Sequence, residues 1–238
     1  MSMPSPLVVA MDFDDAAPCL SLARQLDPRL CRLKVGKELF TIAGPQFVEQ
    51  LQLKGFDVFL DLKFHDIPNT VAGAVRAASA LGVWMVNVHA GGGPAMLEAA
   101  RNAIDRSNSP HPTKLIAVTV LTSLDDEQLT AVGVQDDCET QVKRLAALSH
   151  QYKLDGVVCS PLEVPLVKAA TDQQFLTVTP GVRLSDNSVS TDDQHRVMTP
   201  ERAKKTGSDF LVIGRPITQA DNPIAALTTI LDALNTVA

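Results

Sequence analysis

No two of the four cysteines, Cys19, Cys31, Cys138 and Cys159, stand in a CxxC or metal-finger spacing. Cys31 and Cys159 lie in apolar runs, where a thiol serves as a small hydrophobe, so reduced thiols in a cytoplasmic protein are expected. No apolar stretch approaches the ~18 residues that a membrane-spanning helix needs. Residues Met1 to Pro6 carry neither a basic segment nor a long apolar one, so no signal peptide is expected. Positive charge is not in excess either. The net charge is −6 and the pI about 5.3. Such a surface repels nucleic acid and anionic lipid, which speaks against a nucleic-acid or membrane partner; an anionic substrate would need a local positive site. Nowhere does the composition shift, and no Pro/Gly/Ser linker divides the chain, so residues 1–238 read as a single domain. With 238 residues and 45% hydrophobic content, such a chain can build one large core.

What is present is an alternation. Eight short apolar runs read as strands: Leu7–Met11, Cys31–Gly36, Val58–Lys63, Trp84–His89, Leu115–Leu121, Gly156–Ser160, Phe175–Thr179 and Phe210–Ile213. Between them lie stretches with helical spacing of apolar residues: Ala16–Leu26, Pro45–Leu53, Val71–Leu81, Ala95–Ile104, Glu139–Ser149, Leu162–Ala170 and Ile224–Leu234, with a further helix near Pro200–Thr206. Strands alternating with helices imply a parallel sheet, and eight repeats in a chain of this length imply an α/β fold of the (β/α)8 TIM barrel type. A doubly wound open sheet is the rival, but no GxGxxG follows the first run.

The richest stretch is Asp61-Leu62-Lys63-Phe64-His65-Asp66-Ile67-Pro68-Asn69-Thr70. Asp61 and Lys63 are two apart, so on a strand they face one way while Leu62 and Phe64 face the other. Two ions beside an apolar run are costly unless they pair or do chemistry. Ile67-Pro68 must end the strand, and Thr70 could cap the helix that follows. The bland alternative is an ion pair at a strand terminus, with Asp66 a loop residue. However, other polar residues also close strands at the end where barrels place their chemistry: Asp12, Lys34, Thr122, Ser160 and Gly214-Arg215. Strands seven and eight of barrels often supply a phosphate site; Gly214 lets backbone approach an oxyanion and Arg215, with Arg183, can grip it. One rim then offers a phosphate anchor and the opposite rim alternating Lys and Asp. The polar, aperiodic segment around 184–197 reads as a lid or a surface insertion.

With these residues placed, the chain resembles the orotidine 5′-phosphate decarboxylases, of the shorter bacterial type. The resemblance rests on Val9–Asp12, Arg32–Gly36, the decapeptide, Val118–Ser123, Thr179–Arg183 and Val212–Pro216. It implies a homodimeric barrel without cofactor or metal, acting on orotidine 5′-monophosphate. Lys63 resembles the lysine that protonates C6, and Lys34, Asp61 and Asp66 complete the charged tetrad. Asp66 and Thr70 resemble residues that reach the neighbouring subunit's site. Asp12 and Lys34 resemble ribose contacts, Thr122 a pyrimidine and ribose neighbour, and Arg183, Gly214 and Arg215 phosphate contacts. Gln194 resembles a lid glutamine bridging phosphate and base. The whole run Asp61 to Thr70 and Ser160 fall within the implied substrate site. On spacing alone, His65 and His89 suit bracing or packing better than base catalysis, and Met85, Met96 and Met198 suit the core. Two rivals remain on the residues alone. One is a metal-dependent sugar-phosphate aldolase or decarboxylase on the same D-x-K-x-x-D frame; the other is a non-catalytic nucleotide-binding barrel.

Overall fold

The computed structural model describes residues 5–107, 112–183 and 198–236. Eight strands close a barrel in chain order: β1 (Leu7–Ala10), β2 (Arg32–Gly36), β3 (Val58–Phe64), β4 (Met85–His89), β5 (Lys114–Val118), β6 (Gly156–Val158), β7 (Leu176–Thr179) and β8 (Phe210–Ile213). Every pairing is parallel, including β1 with β8. The crossovers carry α1 (Ala16–Ala23), α2 (Lys37–Gln52), α3 (Pro68–Ala80), α4 (Pro94–Asp105), α5 (Asp126–Ala131), α6 (Cys138–Gln151), α7 (Val164–Ala170), α8 (Pro200–Lys205), α9 (Arg215–Thr218) and α10 (Pro223–Asn235). The TIM-barrel expectation is met.

The strands divide their side chains by period two. Val8, Ala10, Phe59, Met85, Ile116, Val178 and Val212 form an inner apolar cluster inside the barrel. The alternate positions, such as Val9, Leu33, Leu60, Val86, Ala117 and Leu211, belong to a larger cluster shared with the helices. Below the inner cluster, the Arg32 guanidinium lies 4.4 Å from the Trp84 ring centroid, and Trp84 meets Phe210 edge-on at 5.0 Å. Asp57 pairs with Arg32 at 3.2 Å, so this cation is both stacked and neutralised. Above the inner cluster, the same inward positions become Lys34, Asp61 and Asn87, all buried.

Local chemistry explains several boundaries. Thr70 is not the cap of α3: the helix starts at Pro68, with Ile67 in the capping position. Proline lacks an N–H and suits the first helical residue, which moves the start two residues ahead of Thr70. α2 begins earlier than the Pro45 start expected. It kinks at Gly44, φ +67°, because Pro45 drives the preceding residue out of the helical region and glycine accepts the left-handed one. The fifth strand stops at Val118, so Thr122 stands on the loop beyond it rather than closing it. The six-residue α5 and four-residue α9 are too short to show periodicity. The Asp125–Gln128 capping box was nonetheless readable as a start signal for α5.

Where β6 crosses β7, a Cβ on Gly156 would meet the Leu176 carbonyl oxygen at 2.2 Å, a backbone atom that cannot swing aside. Gly156→Ala is therefore expected to destabilise the fold by ~1–3 kcal/mol, the range for overpacking a tight core. Urea denaturation measures this, and an unchanged midpoint would show that β6 and β7 can separate freely.

Candidate active site

At the C-terminal ends of the strands the barrel opens into a cavity of about 580 Å³. Its charged wall is built in series from β1, β2 and β3. Lys34 Nζ donates to Asp12 Oδ1 at 2.9 Å and lies 3.4 Å from Asp61 Oδ2. Lys63 Nζ donates to Asp61 Oδ1 at 2.6 Å. Anion and cation thus alternate along Asp12, Lys34, Asp61 and Lys63. Lys34 and Asp61 are each only 8% exposed, whereas Asp12 stands toward solvent. Burial pushes the Asp61 pKa up, but the Lys34 and Lys63 charges and hydrogen bonds from Lys63 and Asn87 outweigh it, leaving the group below the ordinary carboxylate range. Burial likewise works against the charge on Lys34, and its proximity to Asp61 and Asp12 raises its pKa regardless.

Lys63 reaches this wall by an irregular route. Period two places it on the face of Asp61, but β3 does not stay regular. Leu60 registers with Val86 and Phe64 with Val88, so Asp61, Leu62 and Lys63 stand against Asn87 alone. Lys63 takes φ +52°, a left-handed conformation unusual for a residue with a Cβ. Because two extra residues preserve parity, Leu62 and Phe64 still pack outward, where they line an apolar groove beside α3.

The opposite wall carries Arg183 after β7 and Gly214-Arg215 after β8, with Thr122 on the loop after β5. Gly214 is constrained: a Cβ there would come within 3.3 Å of the Ala10 Cβ and 3.7 Å of Asp12 Oδ2. Val182 bridges Met198, and the Arg183 N–H donates to the Met198 carbonyl at 3.0 Å, drawing both flanks of residues 184–197 to the mouth. Those residues, including Gln194, lie outside the described residues.

Other expected site residues fall elsewhere. Ser160 is fully buried. Its hydroxyl accepts from the Leu162 N–H and its own N–H donates to Glu163, capping a short turn rather than lining the cavity. His65, Asp66, Ile67, Pro68, Asn69 and Thr70 form an exposed segment outside the cavity, with Ile67 67% exposed. Asp66 accepts from the Ile67 N–H, and among the described residues no ion pair joins it to Lys63 within this chain. Sequence reasoning missed Asn87, whose only signal was one amide inside Val86–Val88, and Gln219, which only the short turn of α9 carries to the mouth. Among the described residues no group of three or more His, Cys, Asp or Glu side chains is placed to hold a metal ion.

Residues 5–230 match the profile of the "Orotidine 5'-phosphate decarboxylase / HUMPS family". The chain belongs to that family. It is 59% identical to the orotidine 5′-phosphate decarboxylase of Saccharophagus degradans, over 97% of this chain and 95% of the relative. The corresponding protein of Teredinibacter turnerae is 57% identical, over 98% of this chain and all of its own. The crystal structure of the Lactobacillus acidophilus orotidine 5′-phosphate decarboxylase superposes with a TM-score of 0.86 at 37% identity, covering 97% of this chain and 99% of its own. Proteins so named are carboxy-lyases, and this chain is an enzyme of that class. In this chain the first half of the decapeptide supplies the buried carboxylate and the lysine of the charged wall, while its second half stays on the surface.

His89, next to this wall on β4, has its pKa pulled down to about 4 by burial and by the nearby charges of His65, Lys37 and Lys63. A histidine depressed in the folded state binds fewer protons than in the unfolded chain, so stability is full above the ordinary value near 6.5 and falls as pH drops from there toward 4. Replacing it removes that loss. His89→Gln is expected to flatten the decline of Tm between pH 7 and 5 relative to the parent, as thermal scans across that window would show; parallel declines would refute the assignment.

Proposed function

We propose that the protein decarboxylates orotidine 5′-monophosphate to uridine 5′-monophosphate in de novo pyrimidine synthesis, without cofactor or metal, and that Lys63 delivers the proton to C6. One observation carries this reading: the Asp12–Lys34–Asp61–Lys63 series faces Arg183 and Arg215 across a single cavity of nucleotide size. Losing CO2 from an sp² carbon leaves an electron pair on C6 with no adjacent sink. A fixed ammonium opposing that charge is the available stabiliser. The C6–carboxylate bond breaks, CO2 departs, and the pair left on C6 takes a proton from the Lys63 ammonium; the resulting amine regains its proton from solvent. Asp61 faces the departing carboxylate, and their repulsion is relieved as CO2 leaves. Preorganised charge is the larger contribution and this ground-state strain the smaller.

The remaining residues serve placement. Arg183, Gly214 and Arg215 hold the phosphate, Gln194 and the segment around it close over it, Asp12 and Lys34 hold the ribose, and Thr122 borders the ribose and base. Binding energy from the distant phosphate is used to close that segment and to complete the tetrad with Asp66. The exposed run His65–Thr70 fits a homodimer in which Asp66 and Thr70 complete the neighbouring site, since a two-fold interface can carry a projecting loop across. No helix of the described residues is long and apolar enough to cross a membrane, and cytoplasmic placement belongs to the same proposal.

The test is the pyrimidine absorbance change on adding orotidine 5′-monophosphate, which should persist in EDTA; a metal-dependent lyase would stop. Lys63→Ala should abolish turnover and leave binding of the product nucleotide measurable, and retained turnover would remove the proton-donor role. Arg215→Ala should lower kcat/KM by at least ~2 kcal/mol, the scale of removing a hydrogen bond between two charged groups. Mixing inactive Lys63→Ala and Asp66→Ala proteins should restore activity, because a heterodimer with shared sites keeps one site intact. Failure of the mixture to recover any turnover would argue that each chain works alone.

A further inference from the structure

Asn87 is fully buried on β4 between apolar neighbours, at an inward position one step above Met85. A buried amide costs free energy there unless each of its polar atoms is bonded, and an aliphatic residue would fill the space without that cost. Its partners are specific. The Oδ1 atom accepts from the backbone N–H of Lys63 at 2.8 Å, and Nδ2 donates to Asp61 Oδ1 at 2.7 Å. A carboxylate offers only acceptors and a backbone N–H only a proton, so the reverse orientation of the amide would lose both bonds. Asn87 is also the one residue of β4 set against Asp61, Leu62 and Lys63 of β3. Its side chain therefore substitutes for the ladder acceptor that the irregularity removes. A left-handed conformation at a residue with a Cβ is strained and persists only when its surroundings hold it. At Lys63 the Asn87 carbonyl is such a restraint.

We propose that Asn87 is a positioning residue for the Asp61–Lys63 pair: it holds the strand irregularity that aims Lys63 into the cavity and fixes the rotation of the Asp61 carboxylate. This rests on the reading of Lys63 as the proton donor. Asp61 Oδ1 takes the Lys63 ammonium and the Asn87 amide together, while Oδ2 turns to Lys34. Removing the amide frees the carboxylate to rotate and the Lys63 backbone to relax. The phosphate wall is untouched, so the effect belongs in kcat rather than in nucleotide binding.

Asn87→Ala is expected to lower kcat about 10²-fold, the scale of a displacement near 1 Å at a reacting group, with the Kd for uridine 5′-monophosphate within about threefold of the parent. Asn87→Asp supplies a readout that a packing role would not move. It keeps the acceptor for the Lys63 N–H but sets a second carboxylate against Asp61, and two such groups share a proton with one pKa raised. Turnover of this variant should rise relative to the parent as pH falls from 8 to 5, as the shared proton restores the missing donor. Parent-like kcat in Asn87→Ala, or a parent-like pH profile in Asn87→Asp, would overturn the proposal. If neither variant folds, amide hydrogen exchange in the parent protein decides: the Lys63 N–H should be protected like its strand neighbours, and exchange at the solvent rate would overturn it. Parent turnover in the same assay separates the two readings. An active parent with an unaffected Asn87→Ala refutes only the role of Asn87. An inactive parent refutes the decarboxylase reading, and the Lys63 backbone in a crystal structure of Asn87→Ala then decides the other.

Discussion

One carboxylate organises this molecule. Asp61 is nearly sealed from water, yet it faces two ammonium groups and an amide within 3.4 Å. An isolated anion at that depth would be neutralised by its own desolvation; this one stays ionised because each of its oxygens meets a cation. The dependence is mutual, since Lys34 is as buried as Asp61 and holds its proton through the two carboxylates beside it. Removing one member leaves another charge stranded, so the series behaves as a unit rather than as separable pairs.

The barrel makes that concentration of charge tolerable by stacking it on an apolar plug. The inward positions run from Arg32 with Trp84 and Phe210 at one end, through Phe59, Met85, Ile116, Val178 and Val212, to the ionic wall at the mouth. The plug excludes water from one side of the site, which strengthens interactions inside it. The outward positions of the same strands carry the packing against the helices. Packing and charge thus occupy alternate residues, and Leu62 and Phe64 show it within the decapeptide itself: they anchor outward while Asp61 and Lys63 face the cavity.

The exposed half of the decapeptide makes sense in the same terms. Ile67 is an apolar side chain left largely in solvent beside a charged Asp66. Within one chain Asp66 only accepts from the Ile67 N–H at the start of α3 among the described contacts. In the proposed homodimer Ile67 would be covered and Asp66 would bring a further negative charge to a wall whose last member is Lys63. The arrangement would then alternate in sign through five residues and two chains.

Much of this was written into the chain. Eight apolar runs at regular spacing determined the barrel, because parallel strands buried on both faces need continuous hydrophobic segments joined by helices. The residues Asp12, Lys34, Asp61 and Arg215 were visible because chemistry in this architecture sits where strands end, and Arg183 because strands seven and eight often supply a phosphate site. What folding alone decided was how those residues meet. Period two put Lys63 beside Asp61, but the actual contact arises from a two-residue excess in β3 and a left-handed backbone, held by Asn87 from a neighbouring strand. No local pattern announces such a contact, because register between strands 24 residues apart in sequence is a tertiary property. Ser160 and Thr70 make the converse point. Their types fit a site and a cap, but the Ser160 hydroxyl caps the turn that begins at Pro161, and the helix begins at Pro68, whose missing N–H suits its first position two residues ahead of Thr70.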